Sequence, residues 1–291
     1  MTSWAGNRGY ALPKKQALEV TEYFQPTAGG ICSNLNSFFY AYLRATTTSN
    51  SLYVYDRPNC VSDNFPMFQS ILRENSLIKY LKDQPTSGKR LDYSTIFNSS
   101  PVRTIPFRRL KELARGLYFY NSETQDKIMG LIQAKGLERT FFDVGVHIRS
   151  GDKLTTGEMS PIPIENYVEA LKTFSRRLGK SNLNVFVMTD NYQLYKDLIK
   201  ESPTTWTFTT LDEAGLHNMG GHTQLTFNTL SVKSKTELFY LFLTELHIMQ
   251  NIPNLVVTFS SNVGRFLYLT SRLIQTTDNV ISLDVSQWSI A

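Results

Sequence analysis

The sequence is short of cysteine: Cys32 and Cys60 alone occur, outside any CxxC pair and with no ligand-like histidine beside either. That excludes a disulfide framework and a cysteine-built zinc site, and makes a reducing compartment the default. Long apolar runs are also missing. The opening stretch, MTSWAGNRGYALPKK, lacks the apolar core of a signal peptide, and nothing approaches the ~18 apolar residues of a membrane span. A cytosolic protein is expected, unless a membrane anchor has been removed. Charge of one sign is not concentrated. The formal net charge is +5 and the isoelectric point near 9.0, yet no run of five or more Lys and Arg occurs. Such scattered cations fit a small anionic ligand better than a nucleic-acid track. There is no internal repeat and no low-complexity tract. The absence of GxSxG, Walker and GxGxxG signatures weakens hydrolase, NTPase and dehydrogenase readings.

What is present is an ordinary globular composition, 41% hydrophobic, 19% charged and 12% aromatic. A chain of 291 residues accommodates two domains of about 100–200 residues each, and two lobes imply a cleft. The first half reads weakly as α/β. A loop with Gly29 and Gly30 precedes an apolar and aromatic run over 35–43 and a β-like segment over 52–55. Residues 81–105 are rich in turn formers, and helices are predicted over 106–118 and 122–135. In the second half, runs rich in Val, Ile or Phe at 142–148, 184–188 and 254–259 each lead into a helical pattern. The helices are predicted over 164–178, 192–200, 235–250 and 262–274. This alternation specifies a parallel sheet with crossover helices, in which ligands sit beyond the carboxyl ends of the strands.

Three polar clusters fall at those ends. The first is His147-Ile148-Arg149-Ser150-Gly151-Asp152-Lys153. Strand alternation puts His147 and Arg149 on one face, where the planar guanidinium can bridge two phosphate oxygens. A structural Arg149–Asp152 salt bridge is the plainer alternative. The second is Thr189-Asp190-Asn191, which equally suits a helix N-cap. The third, Thr258-Phe259-Ser260-Ser261-Asn262, opens a helix with hydroxyls and backbone N–H groups suited to phosphate, although serine is also a common cap. Glu245 falls on a stripe with Leu238, Leu241, Phe242 and Ile248. A carboxylate there must accept hydrogen bonds, from the edge of a purine base or from a nearby Arg. His217 and His222 flank Gly220-Gly221 without a third metal ligand spaced to help, so no metal site is expected.

Taken together, HIRSGDK (147–153), VFVMTDN (185–191) and ELHIMQNIPNLVVTFSSNVGRFLY (245–268) resemble, in order and spacing, three peptide motifs of the α1,2/α1,6/protein O-fucosyltransferase superfamily. The core α1,6-fucosyltransferases are the most similar, with His-Val-Arg-Arg-Thr-Asp-Lys, a second motif ending Thr-Asp-Asp and a third reaching Thr-Phe-Ser-Ser. Pro163-Ile164-Glu165-Asn166-Tyr167 is similar to that group's Pro-Ile-Glu-Glu-Tyr. The resemblance covers about 130 residues of the second half, and residues 1–140 share only a loose likeness around Gly29 to Ser37. It implies a GT-B-like α/β fold of two Rossmann-like domains facing a cleft: an N-terminal domain over 1–140 on the acceptor side and a nucleotide-sugar-binding domain over 141–291. It implies an inverting, metal-independent glycosyltransferase acting on a glycan or glycopeptide acceptor, with no nucleic acid and no cofactor beyond the donor. Residue by residue, it puts Arg149 on the donor β-phosphate, His147 at the nucleotide and Asp190 as a structural or donor-side acid. Glu245 falls against guanine, and Ser260 and Ser261 at the phosphate turn. With one inserted residue allowed, Glu158 aligns with the catalytic carboxylate, flanked by Asp152 and Lys153. Glu158 would take the acceptor proton while Arg149 and Lys153 hold the leaving diphosphate.

The departures are on the donor side. Ser150 replaces a second arginine, Asn191 a second Asp, and Glu245 the usual Asp. GDP-fucose is the first expectation, with UDP-xylose or another linked sugar as an alternative. A catalytically dead nucleotide- or glycan-binding module is a second reading. Phosphoester hydrolysis through His147 is a third, weakened by the lack of an Arg-His-Gly order. With no coiled-coil stem in the sequence, a viral or bacterial cytosolic setting is expected.

Overall fold

The computed structural model describes residues 22–27, 30–48, 50–56, 67–72, 76–85, 87–91, 105–151, 157, 160–211, 221, 223–274 and 276–285. The first half contributes β1 (Glu22–Phe24), α1 (Ile31–Thr48), β2 (Leu52–Val54), α2 (Met67–Ile71), β3 (Ile78–Tyr80) and β4 (Lys89–Leu91). Then come α3 (Phe107–Leu117) and α4 (Ser122–Ala134). The second half contributes β5 (Val144–Ile148), α5 (Ile164–Leu178), β6 (Asn184–Thr189), α6 (Tyr192–Glu201) and β7 (Thr207–Thr209). It ends with α7 (Gln224–Thr229), α8 (Val232–Gln250), β8 (Leu255–Val257), α9 (Asn262–Thr270) and β9 (Val280–Ser282).

Two parallel sheets result, a four-stranded one ordered β3-β2-β1-β4 and a five-stranded one ordered β7-β6-β5-β8-β9. In the first, the apolar run of the sequence is the body of α1, which buries Leu35, Phe38, Phe39, Tyr40 and Leu43. Phe24 of β1 meets the rings of Phe38 and Phe68 edge-on at 5.3 and 5.5 Å, a geometry favoured by aromatic quadrupoles. One short strand falls within a stretch whose composition reads as turn: Lys89–Leu91 lies inside 81–105 and pairs with β1.

The second sheet alternates cleanly. Val144, Val146 and Ile148 of β5 face Tyr167, Leu171 and Phe174 of α5, whereas Phe186 and Met188 of β6 face the side covered by α8 and α9. That second side is continuous with the core of the first half, joining Phe24, Leu35 and Leu43 to Leu243, Met249 and Phe266. Capping follows the sequence signals: Asn121, Asn191, Ser231 and Ser261 each accept an N–H from the first turn of α4, α6, α8 and α9. Helix α3 is fastened to the end of α9 by its cations. Arg115 Nε donates to the Ser271 carbonyl at the helix C-cap at 2.9 Å, an acceptor that a helix end leaves open, and Lys111 Nζ donates to the Ile274 carbonyl just beyond it at 3.0 Å. Burial, and then Arg115 nearby, lowers the Lys111 pKa to about 8.

Candidate functional site

Strands β5 and β6 lie side by side in register, with Ile148 opposite Thr189. The residues that follow them therefore emerge together at the carboxyl edge. Arg149 forms an ion pair there with Asp190, with side chains only 15% and 13% exposed. The other Asp190 oxygen accepts the Ser150 amide at 2.8 Å. Asn191 donates from Nδ2 to the Ser150 hydroxyl at 3.3 Å and accepts the Gln193 amide at 3.0 Å, capping α6. The first two strand-end clusters are thus one interlocked unit. Among the described residues Arg149 pairs with Asp190; Asp152, weighed as an alternative partner, lies outside them.

His147 projects from β5 on the same side as Gly145, toward α8. A Cβ on Gly145 would sit 2.6 Å from the Met249 sulfur, so a larger residue there would force the Met249 side chain to shift. Helix α8 runs antiparallel to β5, because it leads into the parallel neighbour β8. Glu245 lies one turn back from Met249 on that helix, and His147 two residues beyond Gly145 on the strand. Both are buried, at 7% and 3% exposure. Burial, with Arg149 adding repulsion, lowers the His147 pKa to about 3, so its imidazole is neutral at physiological pH. Its Nδ1 is buried without a hydrogen-bond partner among the described residues.

The burial of α8 differs from the stripe read in the sequence. Phe239, Leu243, Leu246 and Met249 are its most buried residues, whereas Leu238, Leu241 and Phe242 are half-buried. The helix is covered by α4 and α9 as well as by the sheet, so its last turns are buried nearly all round and Glu245 sits on the flank. His247 follows, beside the Tyr120 ring at 6.0 Å between centroids. Burial and the charge of Arg272 lower its pKa to about 4.

At the third strand end the serines act as local fasteners. Ser261 caps α9 through Val263, and its own amide donates to the Thr258 carbonyl at 3.3 Å. The Phe259 and Ser260 amides donate to Asp284 at 2.8 and 3.1 Å. This carboxylate, just beyond β9, was not singled out by sequence reasoning; its signal was confined to a three-residue strand, too short to show a period. Burial would raise the Asp284 pKa, but the hydrogen bonds it accepts, from Ser282, Phe259 and Val285 among others, outweigh this and hold it below the ordinary range. From the first half, Asn36 on α1 donates to the Asn262 carbonyl at 3.0 Å, and Arg265 donates to the Asn262 side chain at 2.8 Å. The start of α9 is therefore a meeting point of the two halves.

Asp152, Lys153 and Glu158 lie outside the described residues, as do His217 and His222. Among the described residues, no group of three or more His, Cys, Asp or Glu is arranged to hold a metal, and no helix is long and apolar enough to cross a membrane.

No protein-family model matches the sequence, and no curated protein matches it significantly. Solved structures do match. The fucosyltransferase NodZ from Bradyrhizobium superposes with a TM-score of 0.54 at 14% identity, covering 87% of this chain and 94% of NodZ. POFUT1 in complex with GDP gives 0.51 at 11% identity, over 86% of this chain and 94% of that one. The chain has a GT-B-like fold. A mutant of Arabidopsis thaliana FUT1 in complex with GDP gives 0.52 at 13% identity, over 87% of this chain and 69% of the plant protein. At such identities the likeness concerns the fold, and it extends over the first half, where the sequence carries no motif. The superfamily suggested by the three segments of the sequence is the one to which these neighbours belong.

Proposed function

We propose that this protein is a glycosyltransferase that moves a sugar, first choice fucose from GDP-fucose, onto a glycan hydroxyl by an inverting, metal-independent mechanism. The observation that carries the reading is the Arg149 guanidinium, held by Asp190 at the carboxyl edge of the parallel sheet, where open α/β folds bind ligands. Fucosyltransferase neighbours bound to GDP or soaked with GDP-fucose support it. In this reading residues 141–291 bind the donor and 1–140 face the acceptor. Arg149 engages the β-phosphate, His147 and Glu245 seat the nucleotide, Asp190 orients Arg149, and Ser260 and Ser261 belong to the phosphate turn. Glu158 takes the acceptor proton as the acceptor oxygen attacks the anomeric carbon and the bond to the diphosphate breaks. Arg149 and Lys153, next to Asp152, stabilise the charge that builds on the leaving group. The diphosphate leaves as a stable anion, so no acid is needed to protonate it, in contrast to glycoside hydrolysis.

The test is calorimetry and thermal shift with GDP, UDP, GDP-fucose and UDP-xylose, in EDTA, on wild type and Arg149→Ala. Selective stabilisation by a guanine nucleotide that disappears in the variant is expected; stabilisation by uridine nucleotides instead would reassign the donor to one such as UDP-xylose. No binding by any of the four would remove the basis of the proposal. A second reading, a non-catalytic nucleotide-binding module, draws on Ser150, which carries no second cation and is engaged by Asn191. It requires the same binding with no sugar transfer or donor turnover when acceptor glycans are supplied.

A further inference from the structure

The glycine pair Gly220-Gly221 has no role in the scheme above, yet Gly221 meets the turn that carries Arg149. Its φ is +90°, and a Cβ built on it would lie 2.6 Å from both the Cα and the N of Gly151 and 3.5 Å from the Ser150 hydroxyl. Distances below 3.0 Å to backbone atoms leave nothing to rotate away, so any other side chain must push the two segments apart. The turn after β5 is thus held by two different parts of the chain. From β6, Asp190 binds the Arg149 side chain and the Ser150 amide, and Asn191 binds the Ser150 hydroxyl. From the segment entering α7, Gly221 rests on the Gly151 backbone. Ser150 itself is 5% exposed, so the middle of the turn is packed on all sides.

We infer that Gly221 is a positioning residue of the proposed donor site: by close backbone contact with Gly151 it fixes the Arg149–Gly151 turn, and so the aim of the Arg149 guanidinium at a diphosphate. The inference rests on the donor-binding reading of that turn. It assigns Gly221 to the phosphate-binding apparatus rather than to a metal site, and it requires no contact between Gly221 and the ligand. Displacing a bidentate cation by about 1 Å is enough to forfeit a large factor in binding or rate.

The experiment is a double-mutant cycle read by calorimetry with GDP, using wild type, Gly221→Ala, Arg149→Lys and the double variant, with Arg149→Lys chosen so that residual affinity stays measurable. Gly221→Ala is expected to weaken GDP by about 10- to 100-fold and to add little in the Arg149→Lys background, since a residue acting through Arg149 has nothing further to lose once the fork is gone. Wild-type affinity in Gly221→Ala, or the same fold-loss in both backgrounds, overturns the inference. Should Gly221→Ala fail to fold, hydrogen exchange on the wild type decides: GDP should slow exchange both at 149–151 and around Gly221, and slowing at 149–151 alone overturns it. If the wild type binds neither GDP nor UDP, the donor-binding reading itself fails, an outcome distinct from a normal wild type paired with an unaffected Gly221→Ala.

Discussion

Arg149 and Asp190, each one residue past the end of its strand, close an ion pair across the edge where β5 and β6 run in register. With side chains 15% and 13% exposed, the two charges are shielded enough that removing one weakens the anchoring of the other. Asp190→Ala is therefore expected to cost about 1–3 kcal/mol of stability, measured by urea unfolding, and to weaken nucleotide binding by loosening the guanidinium. Asp190→Asn, which can still accept the Ser150 amide, should lie between wild type and Asp190→Ala. Unchanged stability in Asp190→Ala would mean that the pair contributes nothing as an anchor.

Restoring the arginine that the resemblance leads one to expect should harm the protein. Ser150 is 5% exposed and bonded to Asn191, and Gly221 lies over the turn beside it. A guanidinium at 150 must displace that segment or bury an unpaired charge, either of which is costly. Ser150→Arg is expected to lower the melting temperature and weaken GDP binding. Tighter GDP binding would show that the position is open to a second phosphate contact.

What the sequence displays depends on the length and periodicity of each element. Runs such as Val144–Ile148 and Asn184–Thr189, buried on both faces, are mostly apolar and were legible with their following helices. Lys89–Leu91 and Val280–Ser282 span less than two periods, and their pairing partners are distant in the chain, so neither stands out as a strand in the sequence. The same limit applies to the site. Strand ends pointed to His147, Arg149 and Asp190, but seeing that Asp190 pairs with Arg149 needs the β5–β6 register. Asp284 and Gly221 act through long-range backbone contacts that leave no local pattern.

Asp284 occupies the amides of Phe259 and Ser260. If these amides serve chiefly to fasten the segment after β9, Asp284→Ala removes their acceptor and should cost about 1–3 kcal/mol, with GDP affinity changed less than twofold. A marked gain in GDP affinity would instead show that the carboxylate competes with phosphate for the same donors. Either result is read from paired thermal-shift and calorimetric titrations.

The buried histidines set a pH dependence whose sign is fixed. His147 holds a pKa of about 3 in the folded chain against an ordinary 6.5, through burial and then Arg149. Below about pH 6.5 the unfolded chain takes up a proton that the native imidazole refuses, so acid favours unfolding. The stability associated with the neutral ring is complete above about 6.5 and drains as the pH falls toward 3, at up to about 1.4 kcal/mol per pH unit for each such histidine. His247, lowered to about 4, acts in the same direction. Urea unfolding of wild type between pH 4.5 and 7.5, an interval of about three units spanning the ordinary histidine pKa, should show the slope appear below 6.5. His147→Gln and His247→Gln should each remove up to one proton's share of it. If His147→Gln keeps the full wild-type slope, the imidazole is protonated in the native state. The neutral ring assigned to the nucleotide side of the site would then be wrong, and a cation there would join Arg149 in facing the diphosphate.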